Sequence, residues 1–283
     1  MDKYFQKSLL KLINRALKED IGSGDLTSLA TIHPSQQSVG TVLVKEPCII
    51  AGVELAQLIS QVVDPSIVCT FSVKDGDRVS ANKKIGKLEG STINILKAER
   101  IILNCMQRMS GIATKTNNLV SAIAPFGAQL LDTRKTTPNN RLLEKWAVRI
   151  GGGVNHRMGL YDAILIKDNH ITASGGIKEA LKRCKAYIKK EKLSVPVIIE
   201  VKNEKEFAEV VKHPMVDRVL LDNFSPIKLK RIVDVNKKRK VLEASGGINK
   251  TNIKLFAQTG VDFISVGDIT HHIESIDISL KIH

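Results

Sequence analysis

Apolar and polar residues follow two rhythms along this 283-residue chain, and the change between them divides it. The opening MDKYFQKSLLKLINRALKED is amphipathic, which predicts a helix. Short strands follow, among them GTVLVKEP and CTFSVKDG. Turn residues separate them, as in Gly22-Ser23-Gly24-Asp25 and Asp75-Gly76-Asp77. A long helix is expected from about Ile93 to Met109, ending in RMSGIAT. Beyond it, strand and helix patterns alternate with little chain between them. Candidate strands are AQLLDT, DAILIKD, PVIIEVK, RVLLDN, KVLEAS and DFISVG, with helical patterns such as KEFAEVVKH and NIKLFAQTG between them.

Apolar strand runs joined by helices predict a parallel sheet covered by helices. Regular short spacing fits either a TIM-type barrel or a Rossmann-like open sheet. Polar residues separate the two. Thr133-Arg134-Lys135, Lys167-Asp168, Lys202, Asp222, Ser245 and Gly267 all fall at or just past strand C-termini. Barrels carry their chemistry on that rim, whereas a doubly wound sheet concentrates it at one switch point. The region is shorter than the roughly 250 residues of a full barrel. The expected fold is therefore α/β, an incomplete TIM-like (β/α) barrel preceded by a smaller α+β sandwich domain. We place the N-terminal domain at residues 1–112, joined by the tail 271–283, and the barrel-like catalytic domain at 113–270. Within the first, VKDGDRVSANKKIGKLEG is similar to the half-barrel of biotin and lipoyl carriers. It lacks a suitably flanked lysine at the hairpin tip and reads as scaffold.

A net charge of +14 changes the picture by admitting nucleic acid, an acidic membrane surface or a small polyanion as partner. Basic residues between Lys178 and Lys192 mostly lie opposite the apolar row Ile177, Leu181, Cys184, Ile188. Lys237 to Lys240 precedes a strand. Both runs read as solvated faces. Aromatics make up only 4% of the chain, so stacking platforms for single strands are missing, and no nucleic-acid-binding signature appears. Cys48, Cys69, Cys105 and Cys184 show no ligand or disulfide spacing and read as buried free thiols. The N-terminus lacks a signal-peptide pattern, and no apolar run approaches the roughly 18 residues of a membrane span. A cytoplasmic protein is expected.

The candidate chemistry is cationic. Arg134, Lys135, His156, Arg157 and Lys167 gather within forty residues around two strand ends, which calls for a substrate with several negative charges. Gly151 to Gly153 precede the His-Arg pair and let the backbone turn into the site, although His156 alone could be a structural histidine. Ser245-Gly246-Gly247 and Val266-Gly267 form a candidate phosphate site, helped by a helix expected to start near Asn249. Asp222 could hold ribose hydroxyls or a metal ion, or serve as a turn residue. Glu144, Lys145 and Arg149 read as an ordinary exposed face of a helix starting after Pro138. No Ser-His-Asp set, CxxC pair, HExxH or GxGxxG motif is present, so catalysis by positioning and electrostatics is expected.

Taken together, EDIGSGDLTS, AERIILNCMQRMSGIAT, LLDTRKTTPNNRLLEKWAVRIGGGVNHRMGLYDAILIKDNH, LLDNF, EASGGI and GVDFISVG resemble the quinolinate phosphoribosyltransferase family, also called nicotinate-nucleotide pyrophosphorylase (carboxylating). That resemblance implies transfer of phosphoribose from phosphoribosyl pyrophosphate (PRPP) to quinolinate, with release of pyrophosphate and CO2. It implies that Arg134, His156 and Arg157 hold the quinolinate carboxylates. Lys135 and Lys167 would lie between carboxylate and diphosphate; with Arg134 they form the implied catalytic set, next to Thr133. Asp222 would take ribose hydroxyls, and Ser245, Gly246, Gly247 and Gly267 the 5′-phosphate. Mg2+ would travel with the diphosphate. Arg108 would enter the site of a neighbouring subunit, making a homodimer, possibly within a higher oligomer, a catalytic requirement. The family commonly shows Glu-x-Glu, its second Glu on the ribose, where this chain has Glu200-Val201-Lys202; either Glu200 or a water takes over that contact, or Lys202 adds a phosphate contact, or ribose binding is altered.

A relative acting on nicotinate, or the molybdenum-transport-associated homologue, would share the fold, but the intact TRK and NHR strings point to a dicarboxylate. A basic nucleic-acid-binding protein predicts a steep salt dependence of affinity. A non-catalytic homologue has Lys202 as its one hint.

Overall fold

The computed structural model describes residues 3–283. In chain order the elements are α1 (Lys3–Ile21), α2 (Leu26–Thr31), β1 (Gln37–Val44), β2 (Cys48–Ile49), α3 (Val53–Val63), β3 (Val68–Phe71), β4 (Arg78–Val79), β5 (Lys83–Ser91) and α4 (Thr92–Ile123). There follow β6 (Gln129–Leu131), α5 (Arg141–Ile150), β7 (Ile164–Ile166), α6 (Asp168–Ser174), α7 (Ile177–Glu191), β8 (Val197–Val201), α8 (Glu204–Val210) and β9 (Arg218–Asp222). The chain ends with α9 (Pro226–Asn236), β10 (Val241–Ser245), α10 (Ile253–Ala257), β11 (Phe263–Ser265), α11 (Asp268–His271) and β12 (Ile278–Ile282). The chain forms two compact units. One holds the residues up to Asn117 with Thr136–Gly152 and His272–His283, the other Asn118–Lys135 and Gly153–His271. The segment Thr136–Gly152 thus lies with the first unit, although it falls inside the 113–270 stretch expected for the barrel.

The first unit is built on an antiparallel sheet in the order β12-β1-β5-β3. The C-terminal strand is one edge of it, with Val44 opposite Ile278 and Gly40 opposite Ile282. Along the sheet and its helices, Val42, Val44, Ile85, Leu88, Leu55 and Ile59 are buried. Helix α4 runs on to Ile123 instead of ending near Met109. Gly111 looks like a terminator in the sequence, but its function is steric: a Cβ there would collide with the main-chain carbonyl of Glu274. Next to it the buried Ser110 hydroxyl donates to the Ala51 carbonyl (3.2 Å) and accepts the Ala51 N–H (2.9 Å). RMSG is a packing station within a continuous helix.

The second unit contains a six-stranded parallel sheet in the order β6-β11-β10-β9-β8-β7. All six expected strands are present. Strand β8 is buried along its whole length, and β9 and β10 are buried at their centres, as strands covered on both faces must be. Strands β6 and β7 are the two ends of the order, and a single parallel bridge joins Leu131 to Val154 beyond β6. This is an incomplete barrel. Helix α7 buries Ile177, Leu181 and Cys184 and exposes its lysines, as the spacing implied. Lys240 departs from the solvated reading. Its Nζ donates to the carbonyls of His213 and Val216, both at 2.7 Å, and partial burial pulls its pKa down. Among the described residues no helix is long and apolar enough to cross a membrane.

Candidate active site

Because the six strands run in parallel, their C-terminal ends form one rim. Thr133, Arg134 and Lys135 follow β6, Lys167 follows β7, Lys202 follows β8, Asp222 and Ser245 end β9 and β10, and Gly267 stands two residues past β11. Each strand therefore delivers one of the candidate residues to the same edge.

Several of these residues lie close together. Arg157 sits beside Arg134: its guanidinium is pulled below its ordinary pKa first by burial and then by the Arg134 charge, against the opposing pull of Asp162. Two guanidinium groups held near one another are unfavourable unless an anion joins them. Arg157 is tethered as well, since its Nη1 donates to the Ala163 carbonyl (3.2 Å). Lys135 is exposed, with its backbone fixed at both ends. Its N–H donates to Thr133 Oγ1 (3.0 Å), and its carbonyl accepts from the Thr270 hydroxyl (2.7 Å). Its side chain passes so close to Gly267 that a Cβ there would lie 3.0 Å from Lys135 Cδ and 3.2 Å from His271 Nε2. Gly267 keeps this cranny open.

The β7–β9 edge carries opposite charges in alternation. Lys167 Nζ lies 3.4 Å from Glu200 Oε2, and Lys202 Nζ lies 2.7 Å from Asp168 Oδ2. Burial raises the Glu200 pKa; Lys167 opposes the rise, while Asp222 and Asp168 add to it. Asp168 is held low by its hydrogen bond from Lys202. Lys202 is thus paired with Asp168, a partner 34 positions earlier in the chain that the neighbouring strand end brings beside it.

The glycine loop after β10 approaches the β9 loop closely. Asn223 N–H donates to the Ser245 carbonyl (2.8 Å), and Gly246 has φ +98° at a place where a Cβ would strike the Asn223 side chain. Gly247 follows with φ +61°. The helix expected near Asn249 begins only at Ile253 and is five residues long. Asn249 instead organises a turn, accepting from Thr251 N–H (2.9 Å) and from the Thr251 hydroxyl (2.6 Å). Any phosphate contact here comes from loop N–H groups rather than a helix end.

His156 occupies a buried pocket. Its Nε2 lies 3.4 Å from Glu243 Oε2, with side-chain exposures of 8% and 0%. Its Nδ1 accepts the Arg157 N–H (2.7 Å), and its own N–H donates to Asp132 Oδ1 (2.8 Å). Asp132, also buried, accepts from Asn155 Nδ2 (2.6 Å). Glu243 further accepts from Arg218 Nη1 (3.1 Å) and from the Ser265 hydroxyl. Burial alone would raise the Glu243 carboxyl; the hydrogen bonds from His156 and Ser265 and the Arg218 charge outweigh it and hold it low. Glu243 and Asp132 escaped the sequence reading. An acid inside the apolar run KVLEAS was the available signal for the first.

Arg108 is on α4 in the first unit. Its Nε and Nη2 donate to Glu144 Oε1 at 2.9 and 2.7 Å, and Nη2 also donates to Thr137 Oγ1 (2.9 Å). Glu144 and Lys145 are not the exposed face expected of them: both are buried, and only Arg149 of the three is exposed. Glu144 is satisfied by Arg108 and by the Thr137 N–H (3.2 Å), which makes its burial affordable. The four cysteines are free; Cys48 and Cys184 are buried, while Cys69 and Cys105 are partly exposed rather than buried. Burial pushes the Cys48 and Cys105 thiols up to about 11, so neither is a ready nucleophile.

Comparison with known proteins agrees with this geometry. Residues 25–110 match the quinolinate phosphoribosyl transferase N-terminal domain, and residues 112–281 match the C-terminal domain. A mitochondrial quinolinate phosphoribosyltransferase [decarboxylating] 2b of Nicotiana tabacum is 44% identical over 294 aligned residues, covering 99% of this chain and 82% of the relative. A probable nicotinate-nucleotide pyrophosphorylase [carboxylating] of Bacillus subtilis is 39% identical, covering 97% and 93%. The solved nicotinate-nucleotide pyrophosphorylase of Francisella tularensis superimposes with a TM-score of 0.91 at 40% identity, covering 98% of this chain and 96% of that one. With both domain types matched in order, the chain belongs to the quinolinate phosphoribosyl transferase family.

Proposed function

We propose that this protein transfers phosphoribose from PRPP to quinolinate, forming nicotinate mononucleotide, pyrophosphate and CO2 in NAD biosynthesis. Within the site, the observation that carries the reading is the placement of Arg134 beside Arg157, with Lys135 running along Gly267 and Lys167 at the next strand end. That is a site for two polyanions side by side. The pyridine nitrogen attacks the ribose carbon as its bond to the diphosphate breaks through an oxocarbenium-like state. The ring nitrogen becomes cationic, and when the neighbouring carboxylate leaves as CO2 its bonding electrons pass into the ring, where a proton replaces it. Positioned charges suit this chemistry, because the barrier is one of alignment and charge compensation.

In this reading the arginines grip the acid, Lys135 and Lys167 bridge acid and diphosphate, Asp222 and Glu200 face the ribose, and Ser245, Gly246, Gly247 and Gly267 receive the 5′-phosphate. Mg2+ belongs with the diphosphate. The hard carboxylate oxygens of Glu200 and Asp222 at adjacent strand ends suit such an ion, which when bound supplies charge neutralisation to the leaving group. Arg108 completes the site of a second copy, so the active form is a homodimer. Four free thiols suit the reducing cytoplasm. The test is a product assay with PRPP and either quinolinate or nicotinate, following CO2. Turnover of nicotinate with no use of quinolinate refutes the assignment.

A further inference from the structure

The His156 ring has both nitrogens turned to protein groups rather than to a substrate carboxylate. Its Nδ1 accepts the Arg157 N–H at 2.7 Å, so it carries no proton. The ring proton is then on Nε2, which faces Glu243 Oε2 at 3.4 Å. Both nitrogens are occupied by the protein, and the ring is nearly inaccessible. Around it the loop is fixed from several directions. Asp132 takes the His156 N–H, Asp162 takes the N–H groups of Met158 and Gly159 at 2.6 and 3.0 Å, and the Arg157 guanidinium is tied to the Ala163 carbonyl. Glu243 is itself held by Arg218, which lies across the Phe263 ring at 4.3 Å, and by Ser265.

We propose that Glu243 and His156 are positioning residues: Glu243 fixes the His156 ring, the ring fixes the Arg157 backbone, and the acid's carboxylates are met by the Arg134 and Arg157 guanidinium groups and not by the imidazole. The inference rests on the acid-binding role assigned to this rim under the proposed function. The chain of contacts is directional. Glu243 lies in the middle of β10 and is fully buried, so it cannot touch a substrate at the rim; its influence reaches the rim only through the ring and the main chain of Arg157. A preorganised guanidinium loses less on binding than one that must be ordered by the substrate, and a small misplacement of a binding group carries a large kinetic penalty.

Three variants and one spectrum test this. Glu243→Gln keeps the shape and can still accept from Nε2–H, whereas Glu243→Leu removes the acceptor. In folded protein, Glu243→Leu should raise KM for quinolinate about tenfold or more, Glu243→Gln no more than about threefold, with KM for PRPP within about twofold in both. A general structural defect would move both substrates together. Independently of turnover, long-range nitrogen–proton NMR on histidine-labelled wild-type protein, with His156 assigned by loss of its signal in His156→Asn, should show the proton on Nε2. Adding quinolinate should leave it there. A proton on Nδ1 in the free protein, or its appearance there when quinolinate binds, overturns the proposal even if Glu243→Leu fails to fold. So does an unchanged quinolinate KM in folded Glu243→Leu. If wild-type protein does not use quinolinate at all, the function is wrong while the histidine spectrum of the free protein still judges the positioning contacts.

Discussion

The ion pair between Arg108 and Glu144 offers a direct measure of how this chain buries charge. Side-chain exposure is 30% for Arg108 and 1% for Glu144, so the two partners are affected unequally by loss of the other. Truncating Glu144 to Ala releases an arginine that water can partly reach, and orphans the Thr137 N–H. Hydrogen bonds to charged groups contribute about 1.5–3 kcal/mol net, so with partial rehydration of Arg108 the expected loss is about 2–3 kcal/mol. Truncating Arg108 leaves a buried carboxylate with only the Thr137 N–H, which is the costlier direction, about 3–4 kcal/mol. In the double variant Arg108→Ala/Glu144→Ala neither charge is stranded, and the loss should fall short of the sum by about 2 kcal/mol.

Urea denaturation provides the assay. Trp146 is the sole tryptophan, lies on the same helix as Glu144, and meets Phe5 edge-on at 5.4 Å between ring centres. Its fluorescence therefore reports on the packing of the unit that contains the pair. Additivity of the two single variants within about 0.5 kcal/mol would refute the coupling inferred from the geometry. A Glu144→Gln protein, which keeps the volume and one acceptor, should sit between wild type and Glu144→Ala.

Gly111→Ala should lower stability by about 1–3 kcal/mol, read as a lower melting temperature, because the added methyl meets the Glu274 carbonyl; an unchanged melting temperature contradicts the tight crossing. Glu200→Gln should be more stable than wild type at pH 7 and lose that advantage as pH falls toward 4.5, while binding PRPP more weakly. The sign follows from a folded-state pKa raised above the usual 4.5, which makes the ionised carboxylate a cost at neutral pH that protonation relieves. An advantage that persists in acid, in matched denaturation curves, contradicts it. Subunits carrying Arg108→Ala or Lys135→Ala, each inactive alone, should regain part of the wild-type rate on mixing if each site draws Arg108 from the other copy. No recovery in verified mixed dimers removes the shared site.

What could be read from sequence and what could not divide along physical lines. The six barrel strands were legible because strands buried on both faces must be continuous apolar runs, and RVLLD or PVIIEV can be little else. The rim residues were legible because each follows such a run. Burial of Glu144 and Lys145 was not: their spacing on α5 looks like an ordinary charged face, and the guanidinium that neutralises Glu144 comes from 36 positions away. Gly111 was misread for a related reason. A glycine that ends a helix and a glycine that admits a crossing segment are identical locally, and only the neighbour at Glu274 tells them apart. Lys202 was legible as a departure, but its pairing with Asp168 depends on the register between β7 and β8.

The incompleteness of the barrel and the cationic character of the site have a common explanation. Along the sheet order, the strand ends at the centre, β9 to β11, present Asp222 and the glycine loops, while the outermost strands, β6 and β7, present Arg134, Lys135 and Lys167. The segment between those two outermost strands is the one that carries His156 and Arg157. It pairs with β6 only through the single bridge at Val154 before running to Ala163 at the start of β7. In a closed barrel, ladder hydrogen bonds between further strands would occupy this place. Here the gap is spanned by a loop whose backbone is fixed by Asp132, Asp162 and the His156 ring instead of by a ladder. That loop can therefore hold a guanidinium beside Arg134 with the rigidity of a strand and the reach of a side chain. On the proposed reading, a dicarboxylate enters where the sheet fails to close, because it is there that cations from two strands and the loop between them can surround it.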